Sequence, residues 1–267
     1  MSKKPQATKP KHSDKEPCDE ESDRREAQVQ RITDLALRHG YLLEQQVAAE
    51  MEKVGLATRC GEHWVDPRAE AKVRELDVLG EAVAGPHSVL FPVSCKRALN
   101  PDKERNGAKE EATREWVFIQ PRHTSPDALR GIHIGSKGVG AGVPQHPFEG
   151  WRNAFVQSFV AHDPNGDRRI REAVEDAAGP AESYARSGRD VVCVPFVVTD
   201  AQLFVVTFDL DNGCIDARPV DCLGYEYTFA ATSVVTRVEI MTLEALPRRL
   251  AVYMAWVRAL RAHAQET

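Results

Sequence analysis

Residues 42–96 constrain this chain most, because one helical apolar period is followed there by three short segments with strand-like spacing. Leu43, Val47, Met51 and Val54 recur at the helical period, and Gly55 supplies an end signal. Glu44 falls in the first turn, where a carboxylate suits the helix dipole. Strands are then expected over 57–65, 72–79 and 88–96. The alternation in "KVRELDVL" sets Glu75 and Asp77 on one face, with Leu76 and Val78 on the other. In "VLFPVSCK", Ser94 and Lys96 share a face and Cys95 opposes them. Pro92 cannot donate to a ladder, so it predicts an edge position or a bulge for its strand.

The flanking segments have their own signatures. Residues 1–26 are rich in charge, Pro and Ser and poor in large apolar residues, which predicts a disordered charged tail. A helix is expected from residue 27, broken at Gly40. After a polar loop over 99–107, residues 108–119 read as a helix with Glu110 and Glu111 in its first turn. The stretch "GIHIGSKGVGAGVP" lacks the order of a phosphate loop and reads as a mobile loop over a site. Phe148, Trp151, Phe155 and Phe159 predict an amphipathic helix, and 167–178 a second one. Strands over 190–198 and 202–209, separated by "TDA", read as a hairpin. A strand over 233–241 leads to a helix near Pro247, with an apolar stripe of Leu246, Leu250, Tyr253, Val257 and Leu260. The expectation is an α/β (α+β) fold with a mixed central sheet flanked by helices, a single domain over 27–267, and a C-terminal strand-hairpin and helix extension.

Composition narrows the function classes. With 42% hydrophobic and 28% charged residues in 267, the chain can bury a substantial core. A formal net charge of -5 leaves nucleic-acid binding to a local basic patch. The apolar run "VVCVPFVV" is too short to cross a bilayer, and the N-terminus has no signal-peptide pattern, so a cytoplasmic protein without membrane contact is expected. Six cysteines without short paired spacing suit free thiols, and the lone C-x-x-H of Cys60 and His63 lacks the second pair of a zinc site. No G-x-S-x-G elbow points to a serine hydrolase.

Asp77 and Lys96, on adjacent expected strands, carry the chemistry of phosphodiester hydrolysis. A carboxylate suits a hard dication that keeps several waters. A lysine can orient or deprotonate the attacking water and offset charge that develops on phosphorus. "GYLLEQ", "RELDVL" and "SCK", in this order, resemble the PD-(D/E)xK, or restriction endonuclease-like, nuclease superfamily. That family places a glutamate on the first helix, an aspartate on the second core strand and E-x-K or D-x-K on the third. The resemblance implies a restriction endonuclease-like core, Asp77 and Glu44 as metal ligands, Lys96 as the catalytic lysine, and Mg²⁺ or Mn²⁺ as cofactor. It implies DNA as the partner and a role in defence against foreign DNA or in repair, with specificity drawn from a homodimer or a partner subunit.

Ser94 departs from the pattern, since a hydroxyl brings no negative charge to a dication. Three readings follow. The acid has moved to Glu110, as in S-x-K members of the superfamily whose glutamate lies on the following helix; Glu75 approaches the metal instead; or the site is degenerate and the fold serves as a nucleic-acid or protein-binding module.

Overall fold

The computed structural model describes residues 17–38, 41–66, 72–97, 115–119, 154–155, 157–160, 166–186, 191–209, 212–229 and 234–266. The chain divides into two compact units, Met1–Tyr41 and Leu42–Thr267. The first contains helix α1 (Pro17–Arg38), which reaches into the segment expected to be a disordered tail. Its Val29 and Ile32 side chains are exposed. The boundary between the units falls between Tyr41 and Leu42, inside the span 27–267 expected as one domain.

The second unit takes in α2 (Tyr41–Lys53) from Leu42 onward, and the helix buries Leu43, Val47 and Met51 of the stripe expected from spacing, together with Ala48. The chain leaves α2 at Gly55, whose N–H donates to the Glu52 carbonyl at 2.9 Å. Three antiparallel strands follow: β1 (Ala57–Asp66), β2 (Lys72–Ala84) and β3 (His87–Lys96). Further along lie β4 (Glu115–Ile119), β5 (Ala154–Phe155), β6 (Gln157–Val160) and helix α3 (Gly166–Arg186). Then come β7 (Val191–Cys193), β8 (Phe196–Thr199), β9 (Gln202–Asp209), β10 (Cys214–Val220), β11 (Cys222–Phe229), β12 (Val234–Thr242) and helix α4 (Leu246–Glu266).

The large sheet has the order β1-β2-β3-β8-β12-β11-β5, with β7 beside β3; β8 runs parallel to both β3 and β12. One face packs on α2 and α4, where Val78, Phe91, Val93, Phe196 and Val198 meet Met51, Leu250 and Tyr253. The other face meets α3, where Val197 and Ile240 join Ile170, Ala173 and Val174. A smaller sheet, β10-β9-β4-β6, supplies Trp116, Phe118, Leu203 and Val205 to that same cluster. The architecture is mixed α/β, with a mixed-orientation sheet flanked by helices. Alternation along β8 explains the division, since Phe196 and Val198 face one way and Val197 the other.

Several expectations are corrected. "EWVFI" within the expected 108–119 helix is a strand, because Trp116, Val117 and Phe118 bury between β6 and β9. The aromatic segment around Phe155 and Phe159 forms strands β5 and β6 where a helix was expected. "TDA" does not close a hairpin. β8 belongs to the large sheet and β9 to the small one, so the turn carries the chain between sheets. Nor is Pro92 at an edge or a bulge. It pairs in register with Leu79 inside the large sheet. On its other side β3 pairs with β7 at Ser88–Leu90 and with β8 at Val93–Lys96. The missing N–H thus falls where the neighbouring strand is itself broken, between Cys193 and Phe196. The glycine-rich segment and Glu110 lie outside the described residues.

Candidate functional site

Two local devices place the site at one end of β2 and β3. The first is a change of facing in β2. Leu76 packs with Trp64, Leu79 and Leu90, whereas Val78 packs with α2 and α4, so the strict alternation expected of "KVRELDVL" fails here. The β1–β2 register is the same on both sides, from Cys60↔Val78 to Glu62↔Leu76, but the pairing skips Gly61, which takes φ +66°, a conformation that side chains with a Cβ rarely adopt. The second is a close approach. A Cβ on Gly179 of α3 would lie 2.0 Å from the Trp64 ring, so the absence of a side chain lets α3 settle onto the sheet. Asp176 lies one helical turn away from that contact.

The β2–β3 ladder ends at the Val78↔Val93 pair, and beyond it the Asp77 side chain replaces the backbone as acceptor. Its Oδ2 accepts the Cys95 N–H at 2.5 Å and the Ser94 hydroxyl at 3.3 Å. Ser94 is buried, so it anchors Asp77 from within and offers no exposed hydroxyl. Lys96, the last residue of β3, reaches α3, where its Nζ lies 3.4 Å from Asp176 Oδ2. Arg74 approaches the other oxygen of that carboxylate at 3.6 Å, while its Nε is 2.7 Å from the buried Asp66.

The electrostatics tie these groups together. Burial raises the Asp176 carboxyl above its ordinary range, Lys96 and then Arg74 oppose that, and the Asp77 charge adds to it. Glu44, half-buried on α2, is raised by burial first and by Asp77 and Glu75 next, with Lys96 opposing. Asp77 is therefore felt by a carboxylate from each face of the sheet: Glu44 from the α2 side and Asp176 from the α3 side. Cys95 is pushed well up by burial, then by Asp77 and Glu44, so its thiol keeps its proton and is a poor nucleophile.

Among the sequence-predicted residues, the structure joins Ser94 to Asp77, turns Lys96 toward Asp176 and brings Glu44 into the field of Asp77 and Lys96. Glu75 is exposed on β2, and its Oε1 would meet a Cβ on Gly61 at 3.2 Å. Asp176 was not anticipated. It sits eighty residues after Lys96, in "REAVEDAAG", where an acid on an amphipathic helix reads as an ordinary surface charge. The only signal available was that the acid falls among small residues, Ala173, Ala177 and Ala178, all of them buried.

A dication held by one or two carboxylates, with water and substrate completing its shell, fits the donor chemistry of Asp77 and Glu44, because it would offset the repulsion by which the Asp77 charge raises the Glu44 carboxyl. Among the described residues no group of three His, Cys, Asp or Glu side chains is placed to cage a metal. Nor is any described helix long and apolar enough to cross a membrane. No family model matches this chain, and neither the curated proteins nor the solved structures contain a significant match.

Proposed function

We propose that this chain is a metal-dependent nuclease of the restriction endonuclease-like type, hydrolysing DNA phosphodiester bonds with Mg²⁺ or Mn²⁺. The observation that carries the reading is the Asp77–Lys96 pair. An aspartate on the second strand is fixed by the amide of Cys95, the residue before Lys96 on the third strand, and a first-helix glutamate feels the charges of both Asp77 and Lys96. The order helix, three antiparallel strands, helix α3 and parallel strand β8, with β4 to β6 inserted before α3 and β7 before β8, supports the same reading.

Bound through Asp77 and Glu44, the metal would polarise a phosphoryl oxygen and acidify a water. Lys96 orients the attacking water and offsets charge that builds on the phosphoryl oxygens as the water oxygen bonds to phosphorus. The bond from phosphorus to the leaving oxygen breaks, that oxygen takes up a proton from solvent water, and the proton of the attacking water is released to solvent. Ser94 contributes by keeping Asp77 in place.

The test is cleavage of double- and single-stranded DNA by the purified protein with Mg²⁺ or Mn²⁺. Lys96→Ala and Asp77→Asn are each expected to lower the rate by about 10²-fold or more, in line with removal of a group that stabilises the transition state. An unmutated protein that cuts neither substrate, even in excess over DNA, sinks the reading. The uncharged, buried Ser94 in the place of the expected acid favours a second reading, a degenerate nuclease fold that binds nucleic acid or protein without cutting. It predicts that Lys96→Ala leaves the biological function intact.

A further inference from the structure

Lys96 Nζ and the Arg74 guanidinium approach opposite oxygens of one carboxylate, at 3.4 and 3.6 Å. Two cations from different strands converging on a single anion form a fork of the kind that grips a phosphate, and here the anion belongs to the protein. Arg74 has a separate anchor, because Asp66 holds its Nε at 2.7 Å and is itself 1% exposed. Arg74 therefore keeps its aim when Asp176 is neutral or displaced. Lys96 and Arg74 are each about one-third exposed, and Asp176 about one-quarter, so the fork is reachable from solvent.

We propose that the Lys96–Arg74 fork is an oxyanion subsite for a backbone phosphate, and that Asp176 is its built-in competitor, occupying the fork until a phosphate displaces it. This rests on the phosphodiester reading of the same site and adds a residue and a mode of regulation to it. Asp176 is a positioning residue. In the empty protein it holds Lys96 against α3, and on binding it yields the amine to the substrate. The raised Asp176 carboxyl agrees with a group that gives up its charge readily, but the geometry alone defines the fork.

The experiment is fluorescence anisotropy of a labelled DNA oligonucleotide in EDTA at about 50 mM salt, where phosphate contacts dominate affinity. Asp176→Asn is expected to bind about five- to tenfold tighter than the natural protein, the scale of one unit charge removed from a partly solvated site. Lys96→Gln is expected to weaken binding and to abolish the gain when combined with Asp176→Asn. Inorganic phosphate is expected to raise the melting temperature of Asp176→Asn but not that of the double variant. Equal or weaker DNA binding by Asp176→Asn overturns the proposal, as does a gain that survives Lys96→Gln. If the asparagine variant does not fold, Asp176→Ser serves in the same comparison. Binding is read here without metal and cleavage separately with it, so a protein that never cuts would defeat the nuclease reading while leaving the fork to stand or fall on the anisotropy.

Discussion

The protein holds two clusters of acid and base that use the same residue types to opposite ends. In the first, Glu239 of β12 is fully buried, paired with Arg249 of α4 and bonded by the Tyr253 hydroxyl at 2.6 Å. The Arg249 guanidinium also lies 5.4 Å from the centre of the Tyr253 ring. In the second, Lys96 and Arg74 lie 3.4 and 3.6 Å from Asp176, and all three side chains are partly open to water. Burial raises both acids, yet only the closed cluster encloses its acid in short contacts. A closed ion pair fixes where a helix sits on a sheet. A loose one leaves charges free to change partners, which a binding site requires.

The comparison breaks most sharply at Arg249. Arg249→Met strands a buried carboxylate, and urea unfolding is expected to show a loss of about 3–5 kcal/mol. No comparable loss is expected from Lys96→Ala. Tyr253→Phe removes one bond to the same acid, with an expected cost of about 1–2 kcal/mol. Asp176→Asn should change stability by under about 1 kcal/mol, as is usual for a partly exposed pair. Its effect should depend on pH. The folded Asp176 carboxyl titrates above its ordinary value of 3.8, so the folded chain holds that proton more tightly than the unfolded one. The contribution is fully present below the unfolded value and is lost as pH rises through the folded one. The natural protein should therefore lose ground to Asp176→Asn as pH rises across that window. Glu44 and Glu239 are shifted in the same direction, but they are present in both proteins and cancel. Parallel slopes in urea unfolding across that range would remove the distinction between the clusters.

Where the chain's own period decided the structure, the sequence was easy to read. Helices α2 and α4 and the antiparallel strands β1 to β3 follow from local spacing, and the α4 stripe is buried as expected. Segments whose partners lie far along the chain were misread. "EWVFI" has helix-compatible neighbours, but its fate is set by β9, more than eighty residues later. The "TDA" turn has hairpin chemistry, and only the pairing of β8 with β12 shows that it crosses between sheets. Asp176 escaped for the same reason, since its meaning depends on a lysine eighty residues upstream. Ser94 looked like a missing acid, and its structural task, a hydrogen bond to Asp77, depends on the way β2 and β3 part at their ends.

That parting has a spectroscopic consequence. The Cys95 amide proton is held by a side chain of the neighbouring strand, the Asp77 carboxylate, while Pro92, three residues earlier, has no amide proton at all. In a proton–nitrogen spectrum the Cys95 cross-peak is therefore a native reporter on Asp77. Its chemical shift should move whenever that carboxylate changes charge or takes up a cation, and its hydrogen-exchange rate should be set apart from those of the residues before Pro92.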